Sequence, residues 1–328
     1  MTRWLKWLGW PVGVALLLAF AWHEGVGDVI PALGHAGPAL FWLVPFHALP
    51  LLLDAQAWRL LLGGRAPLAF LWWIATVREA VGRLLPVAGV GGEIVGIRLA
   101  RWRVDDAHAV TASVMVEVLI TIAVQYVYTA LGLLFLLGAW RGADLGTFAL
   151  GFVLSLPLPV VLFVLLRRGG IFHAIERFAS RVLGTASTLL QDLDGRRLDA
   201  AIDALMSRPS LLLRAFAWQL AGYVLGSLEN YWALRLLGHP VSAGGAFAIE
   251  AVTQAVRHAA FMVPGGLGVQ EAAVTLVART LGVGSGVGLS LALVKRAREV
   301  LFGLLALASW QLAELWRARR GAALRERA

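Results

Sequence analysis

Polar residues are scarce along this chain and arrive in clusters, so hydrophobicity alone divides it into blocks. Apolar runs at about 7–22, 38–62, 108–137, 148–166, 211–237 and 287–316 approach or exceed the ~20 residues a helix needs to cross a bilayer. Two more blocks, 69–101 and 243–281, are apolar but broken by proline, glycine and charge. The stretch 167–208 differs. Ile171, Ile175, Phe178, Val182, Leu189 and Leu193, then Leu198, Ile202 and Leu205, recur at helical spacing with Arg and Asp on the other faces. One or two amphipathic helices lying on the inner membrane surface are predicted there, with a partner-docking helix as the alternative. No ~10-residue alternating segments of the β-barrel kind occur.

Composition sharpens this picture. Of 328 residues, 59% are hydrophobic and 15% charged, with mean hydropathy +0.75. A soluble domain would carry about a quarter charged residues. The pattern predicts an all-α, polytopic integral membrane protein. A net charge of +9 raises nucleic acid as a partner, but the excess Arg sits at helix ends, where cytoplasmic loops collect it. No nucleic-acid partner is expected. With no cysteine, disulfides and thiolate metal sites are excluded. The opening MTRWLKWLGW resembles a signal peptide, yet the following AWHEGVGD offers no small-residue cleavage site, so an uncleaved first span is expected.

Charge also orients the spans. Arg3 and Lys6, then Arg65, Arg98, Arg101 and Arg103, then the Arg-rich 167–208 stretch and the tail from Arg317 are basic, whereas 23–37 and 238–245 hold no Lys or Arg. All the basic loops share one side only if each broken block enters and leaves the membrane on the same face. Six transmembrane helices plus two re-entrant broken-helix hairpins follow, with both termini cytoplasmic.

The two breaks match. Residues 86–93 read PVAGVGGE and 264–271 read PGGLGVQE, each a proline, six residues with three glycines, then glutamate. Pro264 follows Pro86 by 178 positions and Glu271 follows Glu93 by 178. WRLLLGGRAP and ALRLLGHP precede the respective blocks. In this topology the copies have opposite orientation, an arrangement of secondary transporters. A single membrane domain, 1–328, is predicted: a first repeat at 38–166, a cytoplasmic amphipathic linker at 167–208, a second repeat at 209–316 and a basic cytoplasmic tail at 317–328. Pro86, Gly89, Gly91, Gly92, Pro264, Gly265, Gly266 and Gly268 are the helix-break residues, with proline ending a helix and glycine allowing close approach. The competing reading is a tight turn between packed helices, with glycine there only for packing.

Charges at membrane depth are functional candidates because insertion costs about 2.5–3.5 kcal/mol each. Arg78, Glu79, Arg83 and Glu93 surround the first break, Glu117 lies in the long span after it, and Glu250, Arg257 and Glu271 surround the second. Lys295, Arg296, Arg298 and Glu299 crowd the last span. Of these, Arg78, Glu79, Arg83, Glu93, Glu117, Glu250, Arg257, Glu271, Lys295, Arg298 and Glu299 are assigned to a pathway or gating role. Structural ion pairs between helices are the alternative. His47, between Pro45 and Pro50, reads as a helix-packing residue, and Glu229-Asn230 and Asp54 stand out as polar in apolar runs. Neither metal-ligand spacing nor a nucleophile motif occurs. No metal, cofactor or catalytic residue is expected.

LLPVAGVGGE followed by IRLARWR, then VPGGLGVQE and KRAREVLFG, resembles the flippase-like transmembrane domain of lysylphosphatidylglycerol synthases. HALPLLLDAQAWRLLL and REAVGRLLPVAGVGGE look most like the hopanoid-biosynthesis-associated membrane proteins of that family. The resemblance implies a flippase or translocase for a polar or hopanoid-type lipid, with a membrane lipid as substrate and lipid-biosynthesis enzymes as partners. The Arg surplus favours a phosphate-bearing or anionic head group. The alternatives are a non-transporting scaffold for lipid-modifying enzymes and an ion-coupled small-solute transporter. A membrane-embedded enzyme fits poorly, since the one adjacent acidic pair, Asp105-Asp106, falls in a loop.

Overall fold

The computed structural model describes residues 37–84, 91–139, 194–259 and 268–325, and every regular element among them is helical. A 3-10 turn, Gly37–Trp42, leads into α1 (Leu43–Leu61). Then follow α2 (Leu68–Leu84), α3 (Gly91–Ala100), α4 (Ala107–Ala139), α5 (Gly195–Met206) and α6 (Pro209–Leu236). The last three are α7 (Ala243–Ala259), α8 (Val269–Thr280) and α9 (Ser285–Arg325). The spans expected at 7–22 and 148–166, and most of the 167–208 stretch, lie outside the described residues, as do Pro86, Gly89, Pro264, Gly265 and Gly266.

Three segments, Gly37–Leu61, Ala107–Leu136 and Pro209–Leu236, are long and apolar enough to cross a membrane. The long α4 is apolar on all sides, with Glu117 its lone carboxylate. Its outward Val118, Val127, Leu134 and Phe135 stay exposed, as do Leu304, Leu305 and Leu312 of α9. That surface suits lipid.

Packing follows an exchange between the two halves of the chain. Helices α1 and α6, each preceding a hairpin, pack on one another. Gly222 of α6 sits so close to α1 that a Cβ there would lie 3.1 Å from the Pro50 carbonyl oxygen. Hairpin helix α2 packs on α9 of the later half, and hairpin helix α7 packs on α4 of the earlier half. Each hairpin also closes at its base. Arg65, before α2, places Nη1 3.0 Å from Oδ2 of Asp106, after α3. At the second hairpin, a Cβ on Gly245 would lie 3.4 Å from the Leu281 side chain.

Helix α9 continues to Arg325, so residues 317–325 extend the last helix. Arg98 of α3 reaches Glu314 at 2.8 Å, and the Arg317 guanidinium lies 4.4 Å from the Trp102 ring centre, which docks this extension on the first hairpin. Helix α5, the described part of the amphipathic stretch, is capped by the Asp194 side chain accepting from the Arg196 amide. It buries Leu198 and Ile202 against Ala112, Val116 and Ile120 of α4 and Ala215 of α6. Its apolar face is turned to protein, not lipid.

Candidate functional site

The charged residues of the two hairpins meet in the interior, and the glycines of the first break make one meeting possible. Helix α3 lies so tightly on α2 that a Cβ at Gly92 would come 2.6 Å from the Arg78 carbonyl oxygen. A Cβ at Gly96 would strike the Arg78 side chain at 2.6 Å. Arg78 is thereby pressed between α3 and Trp58 of α1, its guanidinium carbon 5.0 Å from that ring's centre. Its Nη1 donates to both Glu117 oxygens, at 2.9 and 3.1 Å, and its Nη2 lies 3.5 Å from Glu93. Asp54 of α1 is a third carboxylate in the electrostatic reach of Arg78. Asp54 accepts a hydrogen bond from Gln219 Nε2 at 3.1 Å.

A second, larger network joins the two breaks. Arg83, one residue before the end of α2, binds Glu79 at 3.2 Å on its own helix and Glu299 of α9 at 2.7 Å. Glu299 also holds Arg296 at 2.9 Å. Arg296 in turn binds Glu271 of α8 at 2.7 Å. Glu271 is fully buried and its other oxygen accepts the Gly268 amide at 2.7 Å, which closes the start of α8. Gly268 has φ +79°, a left-handed conformation that favours glycine at this turn. His47 of α1 ties in a further arm: Nδ1 stands 3.3 Å from Glu229 of α6 and Nε2 3.0 Å from Glu79. Arg298 completes the arm, bonding Glu229 at 2.9 Å.

Glu250 of α7 anchors a third group. It pairs closely with Lys295 of α9 and accepts from Asn230 and Gln254, each at 2.8 Å. Arg257, one turn on, donates to Gln254 at 2.8 Å and forms no ion pair with a carboxylate among the described residues. Its electrostatic neighbours are Arg83, Glu299 and Glu79, so the ends of α2 and α7 bring two guanidinium groups toward one another.

Every charged residue singled out in the sequence thus joins one of these groups. The equivalence of Glu93 and Glu271 is only partial: Glu271 is buried and caps its helix, whereas Glu93 is part-exposed and touches Arg78 at the longer distance. His47, Asp54, Glu229 and Arg296 are members that sequence reasoning left out of the site. The signal was present for Glu229 and Asp54, as acids in apolar runs. His47 offered none, because its two carboxylate partners are contributed by distant helices. The Arg surplus does not extend inward either. Asp54, Glu79, Glu93, Glu117, Glu229, Glu250, Glu271 and Glu299 outnumber Arg78, Arg83, Arg257, Lys295, Arg296 and Arg298 in these groups. The excess arginines lie at exposed helix ends such as Arg65, Arg98, Arg101 and Arg103.

A family model described as the lysylphosphatidylglycerol synthase TM region matches residues 7–306, nearly the whole chain. The chain belongs to this family. Family membership and the three spans together make it a membrane protein of lipid-related function. No curated protein and no solved structure matches it.

Proposed function

We propose that this chain is a lipid translocase of the bacterial inner membrane, moving a lipid with a polar head group, a hopanoid-type lipid among the candidates, between the two broken hairpins. The observation that carries the reading is the chain of ion pairs Arg83–Glu299–Arg296–Glu271, which links the helix entering the first break to the helix leaving the second. A continuous polar seam at membrane depth is costly unless it lines a pathway or locks a state. Here it runs between elements from both halves of the molecule, so relative motion of the halves would open and close it.

Helix lengths support the hairpins as re-entrant. At 1.5 Å per residue, α3 and α8 reach only about 15 and 18 Å, against a hydrocarbon core of about 30 Å. With the base contacts Arg65–Asp106 and Gly245–Leu281, each hairpin turns back inside the bilayer, in a six-span inverted repeat with cytoplasmic termini. Arg257, lacking a carboxylate of its own among the described residues, is the residue assigned to the head-group phosphate. The chain acts without chemistry on its substrate, and lipid-biosynthesis enzymes are the class that would supply it.

Mass spectrometry of lipids co-purifying with the protein tests this, beside Glu93→Gln, Glu271→Gln and Arg257→Gln variants. Enrichment of one polar lipid over the bulk membrane, lost in the variants, is expected. Bound lipids that mirror the membrane would instead favour the scaffold or small-solute readings.

A further inference from the structure

The geometry points to His47 as a proton-binding site that couples lipid movement to a proton gradient, an inference resting on the translocase reading. His47 is 8% exposed, on α1, with carboxylates from two other helices against its two ring nitrogens. Neutral imidazole has one N–H and one lone pair, so it suits a carboxylate on one side and repels it on the other. Imidazolium suits both. The Nε2 approach to Glu79 is close in distance but misaligned as a hydrogen bond, so that contact depends on charge.

The charged groups facing His47 are Glu79 and, beyond it, Arg83 from α2, Glu229 from α6, and Arg298 from α9, where the Phe302 ring also meets the imidazole edge-on at 5.0 Å. The neighbouring α4 gives its carboxylate, Glu117, to Arg78 instead. Glu79 and Glu229 each keep an arginine whether or not His47 is charged, Arg83 for one and Arg298 for the other. Gain or loss of the proton therefore changes the interior charge by one without stranding a carboxylate. An imidazole that can take up and release one proton in this way is what a reversible coupling site requires. The proton arrives from water on one side and returns to water on the other, with no bond made or broken except N–H.

Protonated His47 holds the first hairpin, through Glu79, to α6 of the later half, through Glu229. Deprotonation loosens that clasp and frees the halves to move. The test uses the cysteine-free full chain with spin labels at Gly82→Cys on α2 and Val224→Cys on α6, both exposed positions. In nanodiscs the interlabel distance is expected to follow pH along a one-proton curve, and the response is expected to vanish in His47→Gln. In Glu79→Gln the midpoint should move to lower pH, since one of the two stabilising carboxylates is gone. In parallel, vesicles of phosphatidylethanolamine and phosphatidylglycerol carrying fluorescent phosphatidylglycerol are given a pH step. Faster lipid movement in the parent and not in His47→Gln supports the coupling. Lipid movement indifferent to the step, or a pH response that survives in His47→Gln, overturns it while leaving translocation standing. A pH-dependent distance that needs His47, with no lipid movement under any gradient, upholds the proton site and sinks the translocase reading instead.

Discussion

Arg83 and Glu299 are 216 positions apart in sequence, yet Nη1 of one lies 2.7 Å from Oε1 of the other. The pair joins the end of the first hairpin helix to the middle of the last helix. Removing one partner of a buried ion pair costs about 3–5 kcal/mol, because the other is left charged and unpaired. Glu299→Gln and Arg83→Gln should each fall at or below the low end of that range, since the partner left behind keeps a second contact, Glu79 for Arg83 and Arg296 for Glu299. The double variant should recover part of the loss, with a coupling of about 0.5–3 kcal/mol. Thermal unfolding of the four proteins in one detergent measures this, and simple additivity would refute the pairing.

Gly92 and Gly82 make a second, sharper comparison. A Cβ at Gly92 would meet the Arg78 carbonyl oxygen at 2.6 Å, and backbone cannot yield cheaply, whereas a Cβ at Gly82 meets nothing within 4 Å. Gly92→Ala should destabilise by about 1–3 kcal/mol, as overpacking does. Gly82→Ala, in open space within α2, should stabilise by up to about 1 kcal/mol through helix propensity. Equal effects of both would mean that α3 does not lie on α2 as described.

These two positions also show what the sequence could convey. The helices and their order follow from apolar run lengths, and the described ends at 61, 84, 100, 236 and 280 agree with punctuation by glycine, proline and charge. Gly92 is a close-approach glycine whose partner is its own hairpin helix, through the Arg78 carbonyl oxygen. Which charges pair was not legible. Arg78 and Glu79 are neighbours in sequence but face different groups, one Glu117 and Glu93, the other His47 and Arg83. Partners at separations of 182 or 216 positions are set by how helices cross, and periodicity within one helix carries no information about that. The helical course of 317–325 was not assigned from the sequence, because what supports it is contact with Trp102 and Arg98 of the first hairpin, over 200 positions away.

Asp106 gives a pH dependence outside the spans. Its carboxyl is held below the ordinary carboxylate range, chiefly by the hydrogen bond from the Ala109 amide at 3.0 Å and further by Arg65. It caps the start of α4. Because the folded carboxyl is the stronger acid, its contribution is complete above the unfolded value near ~4 and is lost as pH falls through the folded one. Asp106→Ala should cost about 1 kcal/mol at neutral pH, the usual worth of such a cap, and the difference from the parent should narrow below the carboxylate range. A difference constant with pH would show that the ionised carboxylate plays no part.

The sidedness of the loops decides the topology, and the exposed residues Pro67, Asp105, His239 and Gly284 flank the two hairpins. If α2 and α3 together crossed the membrane, Pro67 and Asp105 would lie on opposite sides, and the Arg65–Asp106 contact at 3.0 Å would have to break. If the hairpin turns back, both lie on one side, the cytoplasmic one by the positive-inside rule. With an odd number of full spans between the two hairpins, His239 and Gly284 must then share the other side. Single cysteines at these four positions, labelled by a membrane-impermeant maleimide in sealed inside-out and right-side-out vesicles, should give Pro67→Cys and Asp105→Cys reactive from the cytoplasm only. His239→Cys and Gly284→Cys should react from outside only. Opposite labelling within either pair would make that hairpin a full crossing and remove the inverted repeat. All four labelling from one side would keep both hairpins re-entrant but end the opposite orientation of the halves, and with it the alternating motion the translocase reading needs.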